Sequence, residues 1–391
     1  MSIVPSRRVQ AIGTYAFAEV DRLVTKLREQ GVTPIDFGVG DPTVPTPELV
    51  RSAMKAAADD RASAGYPSYI GAPEYRQACA DWMKRRFGVD VDPATAITST
   101  VGSKEAVFNL HAGYVDPGDV VIGPNPGYPP YERGAIFAGG EHYGYPLRAE
   151  NDFLPDLAAI PDEIAARAKV LWICYPNSPT GAMAPASFFE AAAAWCRERD
   201  IVLASDEAYS EIWFDGKPHS ALEFGLENVL SVFSLSKRSA MTGYRVGWVA
   251  GDPELIATFR KVKTNIDSGT PTFVQDAAIA ALSDEAHVET FRREYREKRD
   301  FLVRAFTELG LADCTPPATL YIWQRVPDGM SSLDFAKRLL EPDVGLVVTP
   351  GPWISSDAEG GNPGEGYVRL ALVPSLEECR EAAERLARVS L

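Results

Sequence analysis

The chain has 391 residues, with 39 Lys or Arg against 54 Asp or Glu, a formal net charge of −15. With 46% hydrophobic and 24% charged residues it can bury a large core, which excludes disordered, collagen-like and coiled-coil readings and removes any need for disulfide or metal staples. The acidic balance argues against a nucleic-acid partner, because a phosphate backbone calls for clustered Lys and Arg, but leaves room for a small anion held by a local group of cations.

The N-terminus MSIVPSRRVQ has no apolar run ahead of a small-residue cleavage site, so no secretory leader is expected. Apolar residues at helical spacing (Phe17, Val20, Leu23, Val24, Leu27) predict a helix over 15–30, ended by Gly31. A strand-like run over 35–39 follows, then the turn-forming GDPTVPTP and a helix from Glu48. From about residue 95 to 250, short apolar runs at 96–99, 120–123, 170–174, 201–204, 229–233 and 246–250 alternate with helical stretches such as 104–114 and 186–199. This alternation predicts an α/β fold with a mostly parallel sheet, in which ligands sit at the carboxyl ends of strands. Beyond Gln275 the pattern changes to an amphipathic charged helix at 286–309, strands at 319–325 and 367–371, and a last helix at 376–389. The Gly/Pro-rich stretch 350–366 reads as an exposed or active-site loop. We therefore expect a large domain at 46–275 and a smaller α+β domain built from 1–45 and 276–391. No run approaches the ~18 apolar residues of a membrane span. Five scattered cysteines (Cys79, Cys174, Cys196, Cys314, Cys379) without a CxxC read as reduced thiols of a cytoplasmic protein, and four scattered histidines suggest no metal site.

Five segments carry the chemistry. In SLSKRSAMTGYRVGW, Lys237 directly follows the run 229–233, flanked by Ser234 and Ser236, with Arg245 eight residues on. A lone lysine is usually a solvated surface residue. One at the end of a buried strand, among hydroxyls, suits a lysine of lowered pKa acting as nucleophile or Schiff-base former. Ser234 and Arg245 would bind a phosphate. In SDEAYSEI, Asp206 ends the run 201–204 and Tyr209 follows three residues later. Asp206 is either a helix N-cap or a buried carboxylate paired with a protonated ring nitrogen. TVGSKEAVFNL puts Gly102 and Ser103 at a strand-to-helix junction, where free backbone N–H groups favour a phosphate. YPNSPTG follows another strand. In YVRLAL, Arg369 lies within an apolar strand and calls for a carboxylate partner, from the protein or from a substrate.

With SxSK…R, DExY, PTG and the late Arg in this order, the chain resembles the class I/II aminotransferases, pyridoxal-phosphate enzymes of fold type I, over nearly its whole length. The resemblance implies that the large domain binds pyridoxal 5′-phosphate. It implies that Lys237 bonds the cofactor covalently and shuttles the proton, that Asp206 keeps the pyridine nitrogen protonated so that the ring serves as an electron sink, and that Tyr209 bonds the ring's phenolic oxygen. Tyr128, in PGYPPY, matches the aromatic stacked on the ring. Gly102, Ser103, Ser234, Ser236 and Arg245 match the phosphate cup, with Lys104 beside it. Tyr69, in YPSYIGAPEYR, resembles a tyrosine that reaches the phosphate of the neighbouring subunit's cofactor, implying a homodimer with shared sites. Arg369 resembles the clamp on the substrate α-carboxylate, Gly40 falls in the loop that closes over it, and Tyr15 joins the substrate-binding set.

The family usually reads N-P-T-G. Here Ser178 stands before the proline and Asn177 precedes it. Asn177 is favoured for the bond to the phenolic oxygen, with Ser178 as the alternative. IGTYAFAEVDRL and GVGDPTVPTPEL resemble the branch holding LL-diaminopimelate and N-succinyldiaminopimelate aminotransferases. Lys104 matches a lysine that in related enzymes contacts the distal carboxylate of dicarboxylic substrates; the alternative is an ordinary first-turn lysine, although the helix dipole disfavours a cation there. The implied reaction is a ping-pong transfer of the amino group of an acidic or diaminopimelate-type amino acid to a 2-oxo acid such as 2-oxoglutarate. A pyridoxal-phosphate lyase, of C–S lyase or aminocyclopropane-carboxylate-synthase type, shares the cofactor residues and stands as the alternative. A transcription regulator with an aminotransferase-like sensor fits the net charge poorly, and a nicotinamide enzyme would need a GxGxxG after a strand, which is absent.

Overall fold

The structure, a computed structural model, describes residues 3–12, 18–29 and 31–388. Its strands, in chain order, are β1 (Ile35–Asp36), β2 (Ile97–Thr100), β3 (Val120–Asn125), β4 (Glu141–Pro146), β5 (Ala168–Cys174), β6 (Val202–Asp206), β7 (Val229–Ser234), β8 (Gly247–Gly251), β9 (Tyr321–Arg325), β10 (Leu346–Val347), β11 (Thr349–Pro350) and β12 (Tyr367–Ala371).

Seven of them form one sheet in the order β2-β8-β7-β6-β5-β3-β4. β3 to β7 are mutually parallel, while β8 runs antiparallel to both of its neighbours. β3, β6 and β7 are buried at every position, as parallel strands covered on both faces must be, and the antiparallel β8 is buried throughout as well. Successive residues alternate between two cores. Leu171, Ile173, Leu203, Phe233 and Trp248 pack on one face, and Val170, Trp172, Val202, Ala204, Val232 and Val249 on the other. The helix Ala186–Arg197 crosses from β5 to β6 and buries Phe189, Ala192 and Cys196 on the first face.

A second core is built around the antiparallel sheet β11-β12-β9 and the helices Ala286–Glu308 and Leu376–Leu386. Here β1 pairs in parallel with β10, so Ile35 and Phe37 from the N-terminal segment share this core with Leu302, Ile322 and Leu370. Ile212 and Phe214, from the loop after β6, also enter it.

Several elements differ from expectation. The strand at 35–39 stops at Asp36, whose carboxylate accepts from the Gly38 N–H at 2.7 Å and turns the chain. The helix over 104–114 is split into Ser103–Asn109 and His111–Tyr114. β4, β10 and β11 had no expected counterpart. The helix expected over 15–30 is present as Ala18–Glu29; Tyr15 lies outside the described residues. Among the described residues no helix is long and apolar enough to cross a membrane.

Candidate active site

The carboxyl ends of β6 and β7 open into a cavity of about 790 Å³ between the two cores. β7 ends in Ser234, whose hydroxyl oxygen accepts from the Ser236 N–H at 3.1 Å. That cap starts the single turn Leu235–Arg238, which puts Ser236 and Lys237 into the cavity wall. The Lys237 amine donates to the Gly40 carbonyl. Burial pushes its pKa down to about 8; the Asp41 carboxylate opposes this, and the Arg245 and Arg369 guanidinium groups add to it.

Arg245 stands just before β8 in a left-handed conformation (φ 53°), held by a 2.8 Å bond to the Thr242 carbonyl. Its guanidinium lies over Gly102, at φ +73°, where a Cβ would run into it. Gly102 therefore makes room for the arginine and is absent from the cavity wall. Ser103, Ser234, Ser236 and Arg245 are all in the wall, giving hydroxyl and guanidinium donors for an oxyanion group.

At the foot of the cavity Asp206 ends β6, 5% exposed. Burial raises its pKa, while a 2.9 Å bond from the Tyr131 hydroxyl and a 3.2 Å bond from the Ala208 N–H pull it back. Tyr131 is stacked on Trp172 at 5.0 Å, and the Trp172 indole N–H donates to His111 Nε2 at 2.9 Å. Burial pushes His111 down to about 4, so its Nε2 stays an acceptor. Among the described residues no cation forms an ion pair with Asp206 (the bonds to Tyr131 and Ala208 come from neutral groups). A buried carboxylate of this kind suits a protonated ring nitrogen.

Tyr209 meets Tyr321 hydroxyl to hydroxyl at 3.0 Å. Tyr128 lines the cavity with its ring 38% exposed, edge-on to Tyr131 at 5.9 Å; burial pushes its hydroxyl up to about 12. Asn177 is elsewhere. Its amide donates to the Cys174 carbonyl at 3.1 Å, and its oxygen accepts from the Thr180 N–H at 3.1 Å and the Thr180 hydroxyl at 2.7 Å, so its polar atoms are spent inside the turn. Ser178 occupies the wall in place of the favoured Asn177.

On the opposite side Arg369, on β12, donates to the Gly38 carbonyl at 2.7 Å and lies 4.8 Å over the Tyr321 ring. Among the described residues its buried Nε has no partner, and no carboxylate pairs with it. Gly40 is in the wall, where a Cβ would strike the Tyr321 hydroxyl, and the exposed Lys104 stands at the rim. Tyr69 is 43% exposed and outside this wall. Asp41, Tyr131, Cys174 and Tyr321 line the cavity without having been singled out from sequence. Only Tyr131, three residues after Tyr128 in PGYPPY, carried a readable signal.

A lysine of lowered pKa, a buried carboxylate and a hydroxyl–guanidinium cup around one cavity fit the aldehyde, ring nitrogen and phosphate of pyridoxal 5′-phosphate. The profile of the family "Aminotransferase class I and II" matches residues 32–386. The chain is 45% identical over 390 residues to the LL-diaminopimelate aminotransferase of Aquifex aeolicus, covering 99% of both. Among solved structures, an aspartate aminotransferase mutant of Thermus thermophilus superposes with a TM-score of 0.90 at 34% identity, over 99% of this chain and all of that one. A probable N-succinyldiaminopimelate aminotransferase of Thermus thermophilus gives 0.87 at 34% identity, over 95% and 99%. On the fold, the cavity and these likenesses, the chain belongs to the class I and II aminotransferases and uses pyridoxal 5′-phosphate.

Proposed function

We propose that the chain moves the amino group of a dicarboxylic amino acid of diaminopimelate type to a 2-oxo acid such as 2-oxoglutarate. The observation that carries this is a pair of cations at one cavity: Arg369 and Lys104 both line it, and no carboxylate among the described residues pairs with either. A substrate with carboxylates at both ends satisfies both. The relative in Aquifex aeolicus, named for LL-diaminopimelate, supports the same reading.

In this reading the cofactor supplies an electron sink when bound. Lys237 holds it and then moves the proton, and its lowered pKa keeps much of the amine neutral near pH 8. Asp206, oriented by Tyr131, holds the proton on the ring nitrogen. Tyr209 donates to the phenolic oxygen. Ser103, Ser234, Ser236 and Arg245 hold the phosphate, and Ser178 takes the place given to asparagine elsewhere in the family. Arg369 orients the α-carboxylate and Lys104 attracts the distal one. Exposed Tyr69 would complete the partner's phosphate site in a homodimer, and the five unpaired cysteines suit the cytoplasm. The lyase alternative gains no support from the aminotransferase names of the relatives.

The test is a panel of amino acids added to the cofactor-loaded protein, followed by 2-oxoglutarate. A diaminopimelate-type acid should bleach the cofactor's visible band, and the oxo acid should restore it. Lys104→Ala should raise KM for that substrate about 1.5- to 5-fold and spare alanine, since an ion pair to an exposed lysine contributes about 0.2–1 kcal/mol. Equal losses on acidic and neutral substrates would count against the dicarboxylate reading.

A further inference from the structure

Tyr321 opens β9 and is 4% exposed, yet it touches three parts of the site. Its hydroxyl meets the Tyr209 hydroxyl at 3.0 Å. Its ring lies under the Arg369 guanidinium at 4.8 Å. Its outer edge fills the space that a side chain at residue 40 would need, beside the carbonyl that receives the Lys237 amine. It comes from the second core, whereas Tyr209 comes from the loop after β6.

We propose that Tyr321 is a positioning residue serving both ends of the site: its hydroxyl fixes the donor direction of Tyr209, and its ring fixes the plane of Arg369. Both roles rest on the cofactor reading given above. A tyrosine has one proton. If Tyr209 gives its proton to the phenolic oxygen, it has none left for Tyr321, so Tyr321 must donate to Tyr209. A hydroxyl that accepts one bond is a stronger donor in the next. The ring contributes separately. A guanidinium over an aromatic face is held in place by the ring's negative face, which leaves its edge free for a carboxylate. Arg369 needs such support because, among the described residues, its Nε has no other partner and its bonds run to Gly38 and Thr349 only. The charged and titratable groups facing Tyr321 are Tyr209, Arg369, Tyr128 and Tyr295, and Lys237 and Asp41 share its cavity wall.

Two variants separate the two roles. Tyr321→Phe removes the hydroxyl and keeps the ring; Tyr321→Leu removes both. The first readout is the pH midpoint of the visible band of the cofactor-loaded protein. A donor to the phenolic oxygen favours the deprotonated chromophore, so its loss raises the midpoint. Tyr321→Phe should raise it by roughly half a pH unit, less than Tyr209→Phe does, and should add nothing when combined with Tyr209→Phe. The second readout is the Kd of an unreactive dicarboxylic acid. It should stay unchanged in Tyr321→Phe and rise about 3- to 10-fold in Tyr321→Leu. If Tyr209→Phe itself moves no midpoint, the assignment of Tyr209 and this proposal fall together. If Tyr209→Phe moves it and Tyr321→Phe does not, or the two shifts add, the proposal alone is overturned. Equal Kd values for phenylalanine and leucine at 321 would overturn the role of the ring.

Discussion

Burial of the Lys237 amine sets the pH at which the chain can react with an aldehyde. Only the neutral amine attacks, so the rate at which cofactor-stripped protein takes up pyridoxal 5′-phosphate should rise with pH and level off above about 8. An ordinary lysine would keep climbing towards ~10.4. Because Asp41 works against the shift, Asp41→Asn should move the midpoint lower still; stopped-flow absorbance reads both, and a midpoint moving up would refute the charge argument. The linked stability effect has a definite sign. The folded lysine binds fewer protons than the unfolded one between about pH 8 and its ordinary value, so its penalty is full below that window and fades as pH rises through it. Lys237 could be found in sequence because hydroxyls and a terminating strand surround it locally. Tyr321 could not. It lies in ATLYIW, an apolar run that says only that the strand is buried, and its contacts to Tyr209 and Arg369 exist only once two distant segments meet. Asn177 shows the converse: the local pattern N-S-P-T-G points to its amide, but the turn itself consumes every polar atom of that side chain.

At the scale of elements, the turn between β2 and the helix Ser103–Asn109 depends on glycine. Gly102→Ala would force a left-handed alanine at φ +73° and drive its Cβ into the Arg245 guanidinium. The expected cost is about 1–3 kcal/mol by urea denaturation, with weaker cofactor binding in an absorbance titration because Arg245 must give way. Wild-type stability would refute the backbone argument, and wild-type affinity would mean that the guanidinium is free to move. The central strands could be read from β-branched runs bounded by Gly, Pro, Asn and Asp. β4 (EHYGYP) could not: it is an edge strand, exposed or half-buried at all positions but Tyr145, and has neither a hydrophobic run nor a clean alternation. β10 and β11 are two residues each and form only against β1 and β12.

For the whole molecule, the proposed dimer makes its own prediction. Tyr69→Phe and Lys237→Ala subunits, each inactive alone, would leave one complete site in every mixed dimer. After subunit exchange, activity should climb towards about a quarter of wild type. No recovery despite confirmed exchange would count against shared sites.

The reversed strand β8 has a consequence for how the protein is made. β2 hydrogen-bonds to β8 alone within its sheet, so its last residues, which lead into Gly102 and Ser103, have no ladder until residues 247–251 have left the ribosome. That is about 150 residues later, or roughly 7–30 s at ordinary rates of synthesis. The parallel strands β3 to β7 can pair in turn as they emerge, but the phosphate cup waits for the return strand. A chain halted before β8 would hold most of the sheet and Asp206, yet lack the frame that brings Ser103 beside Arg245. Nascent chains should therefore gain the ability to bind the cofactor late and in one step.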